Sequence, residues 1–150
     1  MSRAAGIFIG IGTLCIIAGG MLSAVTAHSP TRHATWAAAF LVLVVGVAQA
    51  ALGTGQALLA SRKPGRRLVA MEVLAYNVGS LLVLGGTLSG KLVLLDIGSV
   101  LLALALVLFF RGVNGAETHH GRLLLLYRVL LAVVLLSIPV GVLLAHRRAG

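Results

Sequence analysis

Acidic residues are nearly missing from this chain, with three Asp and Glu against twelve Lys and Arg in 150 residues. Paired carboxylates at the spacing that glycoside hydrolysis needs are therefore absent. Cysteine occurs once, at Cys15. That excludes an intramolecular disulfide, and its place inside an apolar run favours packing over redox or metal chemistry. His28 and His33 flank one connection, and His119 and His120 sit together in another. Neither pair has ligand spacing within a helix, and no cysteine or carboxylate cluster completes a zinc or copper site. A phosphate-cradling glycine loop and a serine elbow are missing as well. The expectation is a non-enzymatic protein that holds no metal and no cofactor.

What the chain does have is hydrocarbon. Hydrophobic residues make up 59% of it and charged residues 10%, and the mean hydropathy is +1.09. That balance lies outside the range of water-soluble domains. A membrane span needs about 20 apolar residues, and five runs pass, at roughly 4 to 27, 34 to 60, 68 to 89, 92 to 111 and 123 to 145. They leave no length for a soluble domain, so the expectation is one all-α, polytopic transmembrane domain of five helices. Residues 68 to 111 taken as a single helix would run about 65 Å, about twice a bilayer core. A hairpin turn is expected at Ser89, Gly90 and Lys91.

The first run has a second reading. Arg3, the apolar stretch and "AVTA" before His28 resemble a secretory signal peptide with a small-residue cleavage site. Cleavage would leave four helices and a new amino terminus at His28. The run is longer than the usual signal core of about 7 to 15 residues, which favours a retained span.

The net charge of +9 would suggest nucleic acid in a soluble protein. Here the basic residues sit between or beside the apolar runs, and Arg62, Lys63, Arg66 and Arg67 in "SRKPGRR" are expected to meet anionic headgroups or follow the positive-inside rule. Nucleic acid is not an expected partner. Arg3, Arg62, Lys63, Arg66, Arg67, Arg111 and Arg122 fall on one side, against Arg32, Lys91, Arg147 and Arg148 on the other. That asymmetry favours a cytoplasmic amino terminus. The Ala, Val, Leu, Gly and Arg bias suits a GC-rich bacterium and hence its plasma membrane.

Helices in lipid associate through small residues and interhelical polar contacts. At about 100° per residue, Gly6, Gly10, Thr13, Gly20 and Ala24 align on the first span. Gly46, Gln49, Gly53 and Gln56 align on the second. Glu72, Tyr76, Gly79, Val83 and Gly86 share a face of the third, and Asp96, Ser99 and Ala103 one of the fourth. Gln49, Gln56 and Asn77 are candidate polar packing residues, since an amide facing lipid is costly and one facing a neighbour is not. "NVGSLL" from Asn77 echoes "DIGSVL" from Asp96, a spacing too short for a repeat architecture and expected to be coincidence.

Three charges remain inside the runs. Arg128 lies about 9 Å into the fifth span and Glu72 about 6 Å into the third, from the same side. Two readings follow: an ion pair supplemented by Tyr76, or Arg128 snorkelling to the headgroups. Asp96 is in the opposite half of the bilayer, with Lys91 its nearest basic residue in sequence. A carboxyl there is a candidate for proton exchange or for a wet cavity, and the structural alternative is a protonated or Lys91-linked group hydrogen-bonded within the hairpin. Two functions are expected to compete: an accessory or scaffold subunit of a larger membrane complex or homo-oligomer, and a proton-coupled permease using Asp96 with Glu72 and Arg128 as a gate.

Overall fold

The computed structural model describes residues 3–60, 65–113 and 121–149, which are helical nearly throughout. The helices are α1 (Arg3–Thr26), α2 (Arg32–Leu59), α3 (Arg66–Ser89), α4 (Leu92–Gly112) and α5 (Gly121–Ala149). Each is long and apolar enough to cross a membrane, and the five coincide with the five expected spans. Leu81, Val100 and Leu136 are 61 to 67% exposed. In water such surface would forfeit about 25 cal/mol for each Å² left unburied, a penalty that hydrocarbon does not impose. The chain is an all-α, multi-pass membrane protein. Its contacts divide it into two compact units, residues Met1–Thr54 and Gly55–Gly150.

In the first unit α1 packs on the amino-terminal part of α2. Thr31 caps α2, its hydroxyl accepting the Ala34 N–H at 3.2 Å, and so the helix begins two residues before the expected start. From Leu41 to Ala48 its hydrogen bonding widens to the π pattern, an i to i+5 ladder. The stretch "LVLVVGVA" is apolar throughout, and nothing in it marked the change. The packed face of α1 corrects the expected stripe. Ala5, Phe8, Gly12 and Gly19 are buried, whereas Gly6, Gly10, Thr13, Gly20 and Ala24 are exposed. The expected face of α2 is the one used. A Cβ on Gly12 would stand 2.7 Å from the Gly46 carbonyl oxygen, and one on Gly53 would overlap the Phe8 ring.

In the second unit α3 and α4 form the expected hairpin. Gly90 ends α3 with φ +68, the left-handed conformation open to glycine. The Lys91 N–H then donates to the Gly86 carbonyl at 2.9 Å. The helices cross at Gly79 and Gly98, each of which would push an added Cβ into the backbone of the other. An added Cβ at Gly79 would meet Leu102 N, the Gly98 oxygen and Leu101 Cβ; at Gly98 it would meet Val83 N, the Gly79 oxygen and Leu82 Cβ. These contacts interchange when 19 is added to one helix's numbers, so the crossing has a local two-fold. The segments "NVGSLL" and "DIGSVL" supply the two glycines of this crossing, Gly79 and Gly98. Tyr76 and Phe109 pack edge to face at 6.2 Å and 87°. Among the described residues of α5, Tyr127, Leu131 and Val134 turn fully inward.

Candidate functional site

The second unit buries an ionisable group completely. Glu72 is 0% exposed and Gln56 1% exposed, and Gln56 Nε2 donates to Glu72 Oε1 at 2.7 Å. Helical geometry positions both partners: Glu72 lies in the second turn of α3 on the face that continues through Tyr76 and Gly79, and Gln56 in the last turn of α2. Glycine makes room for them. A Cβ on Gly112 would overlap the Gln56 amide, and one on Gly55 would overlap the Tyr127 ring. Tyr127 donates weakly to the Phe109 carbonyl at 3.5 Å. The second carboxyl oxygen, Glu72 Oε2, is buried with no hydrogen-bond partner among the described residues, as is the Ser80 hydroxyl two turns further along α3. An unpaired buried acceptor of this kind costs about 1–3 kcal/mol, and it is where a proton or a donor from another molecule would be held.

Of the two readings of Arg128, the ion pair with Glu72 does not form. Arg128 is exposed, and among the described residues it takes part in no ion pair. The reason is rotational. Tyr127 and Arg128 are neighbours, about 100° apart on a helix, and α5 turns Tyr127 inward. Of the packing amides, Gln56 makes the expected interhelical contact. Asn77 instead donates to the Val73 carbonyl of its own helix at 2.8 Å, which frees it from needing a neighbour. Gln49 is fully buried with neither amide atom bonded. Ser99 is buried beside Gly98 at the hairpin crossing.

Asp96 has a partner that sequence reasoning missed. His146 Nε2 lies 3.5 Å from Asp96 Oδ2, with both side chains close to half exposed. The other imidazole nitrogen, Nδ1, is 3.0 Å from the Val142 carbonyl, an acceptor only, so Nδ1 carries a hydrogen. In the neutral tautomer Nε2 would then turn a lone pair toward the carboxylate. The contact is attractive when one further proton is held on Nε2 or on Oδ2. Asp96 Oδ1 has no partner. The signal was available: Asp96 is about 6 Å from the start of α4 and His146 one turn from the end of antiparallel α5, so they share a level.

Arg66 and Arg67 are exposed on the first turn of α3, His28 is exposed between α1 and α2, and His33 is exposed in the first turn of α2. Arg62, Lys63, His119 and His120 lie outside the described residues. Among the described residues no three His, Cys, Asp or Glu gather closely enough to hold a metal ion.

The fold and its polar contacts define a class, the small multi-pass helical membrane protein with a buried carboxyl. No family model, curated protein or solved structure matches the chain.

Proposed function

We propose that the protein is a non-catalytic accessory subunit of a bacterial plasma-membrane complex, joined to its partner through the outer face of α5. The observation that carries this reading is the state of that helix. It is the least buried of the five spans, with 11% of its apolar window covered, and it holds Arg128 exposed inside the span and, among the described residues, unpaired. A guanidinium facing hydrocarbon costs about 2.5–3.5 kcal/mol or more, and a carboxylate on a neighbouring transmembrane helix would remove that cost. A second copy is the poorer source. Of its two carboxyls among the described residues, Glu72 is wholly buried and Asp96 faces His146. Isolation from native membranes in mild detergent tests the proposal: a stoichiometric companion is expected, and a chain that migrates alone overturns it. On this proposal the amino terminus is cytoplasmic, as the Lys and Arg asymmetry favours, and the α3–α4 turn then lies outside. A cysteine replacing Lys91, with Cys15→Ser, should react with an impermeant maleimide in intact cells; protection until lysis reverses the orientation.

A proton-coupled permease is the second reading, favoured by the unpartnered oxygens Glu72 Oε2 and Asp96 Oδ1. Proteoliposomes decide it. Proton flux lost in both Glu72→Gln and Asp96→Asn supports the permease, and flux equal to that of empty vesicles removes it.

A further inference from the structure

Independently of either reading, we propose that the groove between the last turns of α1 and the first turns of α2 holds an acyl chain of an anionic glycerophospholipid, with the headgroup phosphate on Arg32. The groove encloses about 500 Å³ and is walled by Gly20, Ser23 and Thr26 of α1 and by Thr35, Ala39 and Val42 of α2, among others. That volume suits a small apolar ligand. The threonines do not make the walls polar, because each donates its hydroxyl to its own helix, Thr26 to Leu22 at 2.7 Å and Thr35 to Thr31 at 3.1 Å. The walls are mostly hydrocarbon, with the Ser23 hydroxyl among them, and the small residues Gly20 and Ala39 set the width of the channel.

Charge selects the headgroup. Residues 1–54 contain no Asp or Glu at all, while His28 in the connection that closes one end of the groove and Arg32 and His33 in the first turn of α2 are all exposed. Among the described residues no carboxylate pairs with Arg32. The level is that of the membrane interface: Trp36, the chain's one tryptophan, is about 6 Å along α2 from Arg32, stacked on Phe40 at 5.1 Å. Tryptophan is enriched where headgroups meet hydrocarbon. An anionic phosphate at Arg32 therefore places its own acyl chains beside the groove mouth.

Trp36 also supplies the test, because it neighbours Thr35 in the wall and no other tryptophan contributes fluorescence. The full chain is reconstituted in phosphatidylcholine nanodiscs containing an equal minor fraction of acyl-brominated phosphatidylglycerol or acyl-brominated phosphatidylcholine. Bromine quenching should report about fivefold enrichment of the anionic lipid, the preference expected of one basic residue at an anionic headgroup. Arg32→Lys should retain the excess and Arg32→Gln should lose it. Ala39→Leu, which narrows the groove without touching charge, should lose it too. Arg32 and Ala39 are both exposed, so these variants leave the packed faces intact. Equal quenching by the two lipids, an excess surviving Arg32→Gln, or an excess surviving Ala39→Leu would each overturn the proposal.

Discussion

Depth in the membrane is one coordinate, and sequence gives it well; which way a side chain faces is another. Glu72 and Arg128 match in the first and fail in the second, so the carboxyl goes to Gln56, a residue recognised as a packing amide without its partner being known. Asp96 and His146 were separable for the same reason: 50 positions apart in the chain, they meet because α4 and α5 run antiparallel. The Gln56 contact has a measurable consequence. Gln56→Leu keeps side-chain volume but strips Glu72 Oε1 of its donor, leaving both carboxyl oxygens bare. Unfolding in a detergent titration should show a loss of about 1–2 kcal/mol. Glu72→Gln keeps an acceptor oxygen for the same donor and should lose less. If Gln56→Leu unfolds like the wild type, the hydrogen bond contributes nothing to stability.

At the scale of elements, span number and turn position were readable because hydrophobic length is a strong constraint in a bilayer. Face selection was less so. On α1, glycines point in several directions, and only the presence of Gly46 opposite Gly12 tells which of them is used. On α3, a polar stripe that included Glu72 and Tyr76 left a single plausible inward face, and it is the one observed. The hairpin crossing gives the sharpest prediction. A Cβ at Gly79 would stand 2.8 Å from Leu102 N and 2.9 Å from the Gly98 oxygen, both backbone atoms that cannot rotate away, whereas one at Gly85 would meet nothing within 4 Å. Gly79→Ala should therefore destabilise the hairpin by about 1–3 kcal/mol, the usual range for overpacking. Gly85→Ala should be neutral or stabilising by up to about 1 kcal/mol through helix propensity. Thermal unfolding of the two variants in one detergent compares them directly, and equal midpoints would mean that the crossing is looser than these distances require.

For the molecule as a whole, the decisive quantity is what α5 does with its outer face. Hydrocarbon alone can cover Leu125, Leu126, Val129, Val133 and Leu136, all more than a third exposed, and lipid gains nothing further by it. Arg128 is different, because it is a charge on a surface otherwise suited to lipid, about 9 Å from Arg122 along the helix. Two accounts of it diverge on a single substitution. In the accessory-subunit reading Arg128→Leu removes the charge that a partner's carboxylate seeks. The isolated protein should then be no less stable than the wild type, because the substitution removes a charge from a hydrocarbon-facing surface, while the companion disappears from the detergent-solubilised complex. Under snorkelling, the guanidinium is held by headgroups, and the same substitution leaves the companion in place. Arg128→Lys separates charge from geometry: a bidentate pair with a carboxylate weakens when the planar fork is lost, whereas a headgroup contact accepts either cation. Companion yield falling in the order wild type, Lys, Leu supports docking through Arg128, and unchanged yield in all three sinks it.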